Sequence, residues 1–250
     1  MESAEPAPSI WLRRERAAVG RPAQHSRAEI TAVAIGIADR EGLDAVSMRR
    51  VAAELGTGAA SLYRYVATRD ELLDLMTDAT AAEYELPEPT GDWLAELVTV
   101  GAQARAILRR HRWLANLIIT RPVIGPNGVT LIEHVLTVLA PHPASLSAKF
   151  EAFAALNGIT ATTALHEQAG GGALQDRHVA YLMHAATSGE HPRLARLLAQ
   201  EPQEPQAPQA DRYPDVLARI LVGLLDRPCE RFPNRFSGTD PADSTPPNSR

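Results

Sequence analysis

The chain has 250 residues, of which 45% are hydrophobic and 5% aromatic, and its formal net charge is −5. This length and apolar share allow one large domain or two smaller ones, and the frequent Ala and Leu favour helix over strand. The single cysteine, Cys229, excludes an intrachain disulfide or a cysteine metal cluster. No stretch reaches the roughly 18 consecutive apolar residues of a membrane span, and the acidic, proline-bearing start is unlike a secretory signal. We therefore expect a cytoplasmic protein.

Positive charge is concentrated near the start of the chain. Residues 1–66 hold nine arginines and eight acids, a charge of +1, which leaves 16 minus 22, or −6, for the remainder. Within residues 10–27, five arginines stand against one acid, a local charge of +4. A basic segment ahead of an acidic body favours a local phosphate contact over a nonspecific nucleic-acid coat.

The first third of the chain predicts an unstructured segment followed by four helices. Residues 1–25 carry three prolines and one glycine, and we expect them to be a flexible basic arm. Ser26, Ser47 and Thr68 are good N-cap residues, and each is followed by a helical apolar pattern. Gly42 and the run Gly56-Thr57-Gly58 interrupt the pattern. The predicted helices span 26–42, 47–55, 59–65 and 68–84.

The remainder also predicts helices, over 93–110, 111–120, 129–139, 145–168, about 176–187, about 192–200 and 213–226. The Pro/Gln-rich segment 201–209 is expected to be a mobile loop, and the tail 229–250 to be disordered. No convincing strand pattern is present. The predicted fold is all-α, with a small basic bundle first and a larger acidic bundle second.

The stretch SMRRVAAELGTGAASLYRYV, residues 47–66, fits a helix-turn-helix. Small side chains at Ala59, Ala60 and Ser61 would let the second helix approach base edges in a major groove. Tyr63 and Tyr65 would reach phosphates along the groove walls. The alternative is an ordinary helical hairpin with surface tyrosines, because helical corners are common.

Residues 26–79, SRAEITAVAIGIADREGLDAVSMRRVAAELGTGAASLYRYVATRDELLDLMTDA, resemble the DNA-binding domain of the TetR family of bacterial repressors. More loosely, Trp93, Arg105, HRWL at 111–114 and RPVIGPNG at 121–128 resemble the ligand-binding domain of the tetracycline-repressor-like branch. The resemblance implies a helix-turn-helix domain over 26–72 and a ligand-binding and dimerisation domain over 73–228. It also implies no enzymatic activity, no cofactor and a location at the nucleoid when the protein is bound to DNA.

By this resemblance, the family's DNA-contact positions are occupied by Ser47, Arg49, Ala59, Ala60, Ser61, Tyr63, Tyr65 and Arg69. The small Ala59 and Ala60 reduce direct base readout by hydrogen bonds. Specificity is therefore expected to depend more on Arg49, on Ser61 and on the arm.

The arm SIWLRRERAAVGRPAQHSR resembles the extended N-terminal arm of simocyclinone-responsive repressors of this family. We expect its arginines to enter a minor groove beside the helix, and they are Arg13, Arg14, Arg16 and Arg21. The alternative is a disordered tail that only adds solubility.

The resemblance further implies that a small-molecule effector binds inside the second domain. Binding of the effector is expected to release the protein from DNA. Candidate effector contacts lie on the helices beside the chain breaks: His111, Trp113, Asn116, His134, Phe153, Asn157 and Thr160. For each one alone, a role in the core, an interface or the surface is the alternative. The helices 145–168 and 213–226 are the expected dimer interface.

The leading hypothesis is a ligand-responsive repressor that binds a palindromic operator as a homodimer. By analogy, its effector would be an antibiotic-like natural product and its target an exporter gene. Two other functions remain open: a DNA-binding regulator without an effector, and a helical-bundle enzyme. The sequence contains no Gly-rich phosphate loop, nucleophile elbow or paired metal motif that would favour the enzyme.

Overall fold

The computed structural model describes residues 9–13, 25–170, 173–200 and 211–226. Every regular element in these ranges is helical, which confirms the all-α prediction. The first half contains α1 (Arg27–Glu41), α2 (Met48–Glu54), α3 (Ala59–Leu62), α4 (Arg69–Ala81), α5 (Trp93–Arg110) and α6 (Leu114–Thr120). The second half contains α7 (Pro126–Val138), α8 (Leu146–Gln168), α9 (Ala173–Thr187), α10 (Pro192–Gln200) and α11 (Tyr213–Leu225). None of the helices in the described ranges is long and apolar enough to cross a membrane.

The predicted caps begin three of the first four helices. The side chains of Ser26, Ser47 and Thr68 each accept a hydrogen bond from the backbone N–H three residues later. Each bond satisfies a donor that the first turn of a helix leaves without a backbone partner. The helix starts therefore follow from local sequence chemistry.

The turn between α2 and α3 requires a glycine. Gly56 has a φ of 66°, a left-handed conformation that costs an L side chain energy. Thr57 N–H donates to the Ala52 carbonyl at 2.9 Å and closes the end of α2. The following helix α3 is shorter than predicted, because residues 63–65 form a turn rather than a helical end. Leu62 and Val66 anchor this turn in the core, where both are fully buried.

One apolar core joins the first four helices to the body of the molecule. It combines fully buried residues of the helix-turn-helix, such as Ile37 and Val51, with Trp113 and Leu114 near the start of α6 and Ala161 of α8. The predicted boundary after residue 72 falls inside α4, so the backbone of one helix crosses it. The domain limits stay a prediction, but the core is continuous across them.

A second core holds the larger bundle together, and α5, α7, α8 and α11 contribute to it. Gly101 lets α5 and α11 approach closely, since a Cβ there would collide with Leu217 and lie 2.8 Å from the Tyr213 hydroxyl. That hydroxyl donates to the Gly101 carbonyl at 3.0 Å and lies 2.6 Å from the hydroxyl of Thr160 on α8. Tyr213 therefore connects three helices at one buried point.

Part of the segment expected to be unstructured is folded onto the body. Residues Ile10–Leu12 form a 3-10 turn, and Ile10 is only 2% exposed within the first core. The Arg27 guanidinium donates to the carbonyls of Ile10 and Arg13 at 3.0 and 2.9 Å. The prediction for residues 1–25 is thus wrong for residues 9–13. The 201–209 loop and the 229–250 tail lie outside the described residues.

Candidate DNA-contact surface and ligand cavity

The exposed end of the helix-turn-helix carries small and hydrogen-bonding side chains. Ala60 is exposed, Ser61 is half-buried, and Tyr63 is 52% exposed. Arg64 lies beside them and donates to the Ser61 hydroxyl at 2.9 Å. Arg64 is not among the DNA-contact positions that the resemblance implies, but it stands between two of them, Tyr63 and Tyr65. The surface combines close backbone approach with phenolic and guanidinium donors.

The start of α2 adds a second exposed cation. Arg50 pairs with Glu41 at 2.7 Å and with Glu54 at 3.4 Å, which offsets its charge. Arg49 is exposed, and it has no ion pair with any described residue. The Ser47 hydroxyl accepts from Arg50 N–H at 3.2 Å as the cap of α2. Arg49 is therefore the cation at this edge that remains available to an anionic partner.

Two selected residues have structural roles that limit contact with DNA. Tyr65 is only 9% exposed and belongs to the first core, and its carbonyl accepts from the Arg27 guanidinium. Arg69 donates to the carbonyls of Val46 and Leu43 at 2.9 and 3.0 Å. These bonds fix the start of α4 to the segment that precedes α2. The expectation that both side chains extend to phosphates is corrected: in this structure one is packed inside and the other is bonded to backbone.

Of the four arginines in the arm, only Arg13 is among the residues that the structure describes. Arg13 pairs with Glu71 of α4 at 2.5 Å, so its charge lies against the body rather than extending from it. This position corrects its assignment as a minor-groove contact. Arg14, Arg16 and Arg21 lie outside the described residues, and their assignment stays a prediction.

A cavity of about 530 Å³ lies between α4, α5, α6, α7 and α8, and it opens to the surface beside the exposed side chains of Ile119 and Ile124. Its walls are mostly apolar, and they include Ile107, Ile118, Leu131 and Phe153. This size and polarity are typical of small-molecule sites. Thr77 and Ala81 of α4 also line it, so the helix that begins directly after the helix-turn-helix forms part of the cavity wall.

A few polar groups face this cavity. The Asn157 carboxamide has no hydrogen bond to any described residue and can both donate and accept. Burial raises the pKa of Tyr84, so its hydroxyl stays neutral and can donate a hydrogen bond. The Thr160 hydroxyl already donates to the Leu156 carbonyl at 2.6 Å. Asp78, which sequence reasoning missed, accepts from Gly128 N–H at 2.9 Å.

The structure brings together three of the seven predicted effector contacts: Phe153, Asn157 and Thr160. Asn116 is exposed on α6 and does not line the cavity. His134 is half-buried on α7 and lines a separate, shallower groove of about 450 Å³ beside residues 86–89. The predictions for Asn116 and His134 are therefore wrong for this cavity.

His111 and Trp113 form a link between the helix-turn-helix and the body instead of a cavity wall. His111 is 4% exposed; its Nδ1 lies 2.8 Å from Asp39 Oδ1 and its Nε2 2.7 Å from Glu83 Oε1. The Trp113 indole N–H donates to the same Asp39 oxygen at 2.7 Å. Asp39 belongs to α1, so both aromatic rings hold that helix. Their assignment as effector contacts is corrected to this structural role.

The described part of the chain holds no cluster of three or more His, Cys, Asp or Glu side chains arranged to bind a metal ion. Two features could bind a partner: the exposed helix-turn-helix surface and the cavity. The first offers donors to a polyanion, and the second offers apolar contact and a few hydrogen bonds to a small molecule.

Comparison with known proteins agrees with this arrangement. Residues 30–76 match the family described as bacterial regulatory proteins, tetR family, and residues 86–227 match the tetracyclin repressor-like C-terminal domain. The HTH-type transcriptional repressor DrrR1 of Streptomyces coeruleorubidus is 47% identical over 114 residues, which cover 45% of this chain and 42% of that protein. An HTH-type transcriptional regulator of Saccharopolyspora erythraea is 36% identical over 140 residues, or 55% of this chain. The chain spans 42% and 59% of the lengths of these two relatives.

Solved structures extend the similarity to both halves of the chain. Apo ActR from Streptomyces coelicolor is 34% identical with a TM-score of 0.70, covering 81% of this chain and 97% of that one. ActR in complex with actinorhodin is 33% identical, with a TM-score of 0.70 and the same coverage. A further ActR structure is a complex with (S)-DNPA. The two family matches together cover the helix-turn-helix and most of the larger bundle, and the chain belongs to the TetR family of bacterial transcriptional regulators.

Proposed function

We propose that this protein is a ligand-responsive transcriptional repressor that binds a palindromic operator in the bacterial cytoplasm as a homodimer and releases it when an effector enters the cavity. The observation that carries the proposal is the position of α4. Its first residue, Arg69, is bonded to the segment before α2, and its last turns line the cavity. A ligand that displaces the cavity end of α4 would thereby move the helix-turn-helix.

The DNA contacts in this proposal are Arg49, Ala60, Ser61, Tyr63 and Arg64. All five are on the exposed side of α2, α3 or the turn that follows. Ser47 caps α2 and Ala59 is the first residue of α3, and the DNA contacts predicted for these two residues stay predictions. The relative DrrR1, named a transcriptional repressor, supports this reading of the surface.

The homodimer in this proposal forms through α8 and α11, which pack against each other in the second core. Leu146 and Phe150 on α8 are 62% and 44% exposed, and Val216 on α11 is 37% exposed. Exposed apolar side chains on neighbouring helices are what an interface between two copies would cover. To bind two successive major grooves, such a dimer must hold its two α3 helices about 34–36 Å apart.

The effector in this proposal is an antibiotic-like natural product, and the controlled gene encodes an exporter. The ActR complex with actinorhodin supports a small-molecule effector for this chain. The identity of the controlled gene rests on analogy within the family.

The proposal is tested by in vitro selection from a random duplex library with the full-length protein. We expect enrichment of a palindrome whose half-sites lie on one face of the duplex, and light scattering is expected to show an even number of chains per bound site. Absence of any enriched sequence, or one chain bound per site, would contradict the proposal.

The basic arm gives a separate prediction, because Ile10 and Arg13 are held on the body. Deleting residues 1–24 would also remove Ile10 from the core, so substitutions are the cleaner test. Replacing Arg14, Arg16 and Arg21 by glutamine should weaken binding to the selected palindrome. Each lost phosphate contact should also reduce the slope of log affinity against log salt by about 0.9.

The matched control for the arm is the triple glutamine variant of Arg177, Arg193 and Arg196, which are exposed on α9 and α10. This variant removes the same amount of charge from helices outside the proposed DNA-contact surface. We expect its slope of log affinity against log salt to equal that of the unaltered protein. Equal slopes for both triple variants would show that the arm does not bind DNA.

A further inference from the structure

The described residues that line the cavity include an acidic side chain but no basic one. Of the described residues that line it, Asp78 is the only Asp or Glu, and no Lys, Arg or His is among them. Burial raises the pKa of Tyr84, so that phenol adds no charge near neutral pH. An acidic ligand would therefore place a second negative charge in apolar surroundings with no cation to pair with it.

Asp78 lines the cavity, and the first turn of α7 holds its carboxylate in one position. Its Oδ1 accepts from Gly128 N–H at 2.9 Å, and its Oδ2 accepts from the backbone and side chain of Asn127 at 3.3 and 3.0 Å. Gly125 packs directly over it, since a Cβ there would lie 2.5 Å from Asp78 Oδ1 and 2.5 Å from the Trp11 ring. The carboxylate is thus fixed by three donors and by close packing.

The three donors leave the carboxylate with residual capacity. A carboxylate offers about four lone-pair positions, so about one remains for a ligand. The donors belong to the first turn of α7, and a helix N-terminus supplies only about half a positive charge. Part of the negative charge is therefore uncompensated by protein groups that line the cavity.

We propose that the cavity selects a largely apolar ligand that carries a protonated amine, and that Asp78 is the residue that binds the amine. The apolar walls accept the ring system or hydrocarbon part of the ligand. The Asn157 carboxamide and the Tyr84 hydroxyl bind neutral oxygen atoms, and carboxylic acids of the same shape are excluded. This inference rests on the proposed function only in taking the cavity as the effector site.

The test compares two probes of one shape: 9-aminoacridine, a cation near neutral pH, and acridine-9-carboxylic acid, an anion. Their dissociation constants are measured by fluorescence titration with the full-length protein. We expect the cation to bind at least about tenfold more tightly, since like charges at close range are strongly unfavourable outside bulk water. In Asp78→Asn, which keeps the shape and the acceptor for Gly128, the ratio should fall to within about twofold.

The control is Glu190→Gln, which removes one negative charge from the exposed turn between α9 and α10 and should preserve the full ratio. The ratio in the unaltered protein is a test by itself, so a folding defect in Asp78→Asn, checked by circular dichroism, does not remove it. Equal or tighter binding of the anion by the unaltered protein overturns the inference, as does an unchanged ratio in a folded Asp78→Asn variant. Failure of both probes to bind overturns it too.

These outcomes are separable from those of the DNA experiment, because the titration contains no DNA. Selective binding of 9-aminoacridine by a chain that enriches no palindrome would support the charge preference and contradict the repressor. Enrichment of a palindrome by a protein that prefers the anion would support the repressor and contradict the charge preference.

Discussion

Replacing Ala60 by glutamate is expected to weaken binding to the selected palindrome by at least about 100-fold, which corresponds to about 2.7 kcal/mol per bound assembly. Ala60 is exposed on α3, on the surface that we assign to DNA. A carboxylate there would face a duplex that carries one negative charge per about 1.7 Å of its axis. The side chain would also prevent the close backbone approach that a small residue permits.

The same substitution should leave the fold intact. Glutamate and alanine differ little in helix propensity, and an acid in the first turn of a helix is favourable. The control is Ala102→Glu, an exposed position in the middle of α5, and its affinity for DNA should be unchanged. Gel-shift or anisotropy titrations measure both variants, and 9-aminoacridine binding checks that the cavity is preserved. If the Ala60→Glu variant binds DNA within about threefold of the affinity of the unaltered protein, α3 does not contact DNA. A carboxylate placed against DNA would lower the affinity by more than about threefold.

Replacing His111 by leucine is expected to lower the free energy of unfolding by about 2 kcal/mol. The imidazole has a carboxylate oxygen within hydrogen-bond distance of each ring nitrogen, so leucine would remove a hydrogen-bond partner from both Asp39 and Glu83. A hydrogen bond to a charged group contributes about 1.5–3 kcal/mol, and the total stays near the lower end because the side chains of Asp39 and Glu83 are 29% and 28% exposed to solvent. In thermal unfolding, such a loss corresponds to a decrease in Tm of about 4–8 °C for a chain of this size.

A double-mutant cycle tests whether the loss arises at this link. Asp39→Asn removes the oxygen charge that His111 and Trp113 share, so its effect and that of His111→Leu should not be additive. His166→Leu, at an exposed position near the end of α8, is the control and should change stability by less than about 0.5 kcal/mol. Urea unfolding at one protein concentration measures all variants, because association would make the apparent stability depend on concentration. Equal stabilities for His111→Leu and His166→Leu would show that the link contributes nothing.

Much of the fold was predictable because its signals are local. Helix starts at Ser26, Ser47 and Thr68 depend on bonds that span three residues, and the turn at Gly56 depends on the conformation of a single residue. The start of α7 was placed three residues late, at Val129. The helix begins at Pro126 because proline fits the first turn, where its missing N–H is not needed.

Helical periodicity explains why three of the predicted effector contacts share one face, although their contact with an effector stays a prediction. Phe153, Asn157 and Thr160 recur at spacings of three and four residues on α8, and all three line the cavity. His111 and Trp113 were misassigned because their partner, Asp39, is more than 70 residues away in the chain. No local pattern shows that a polar aromatic residue bonds to a carboxylate on another helix.

The sequence by itself determined an all-helical chain with a helix-turn-helix near its start and an amphipathic bundle behind it, because caps, turns and helical periodicity act over a few residues. Only the tertiary structure decided what those helices enclose. In the sequence, Asp78 is one of four acids on α4; in the structure α7 brings Asn127 and Gly128 against it from 49 and 50 residues away. In the sequence, Ile10 begins a short apolar run in a polar segment; in the structure it is buried in the core and Arg27 donates to its carbonyl. Both depend on long-range packing, which a local pattern does not encode.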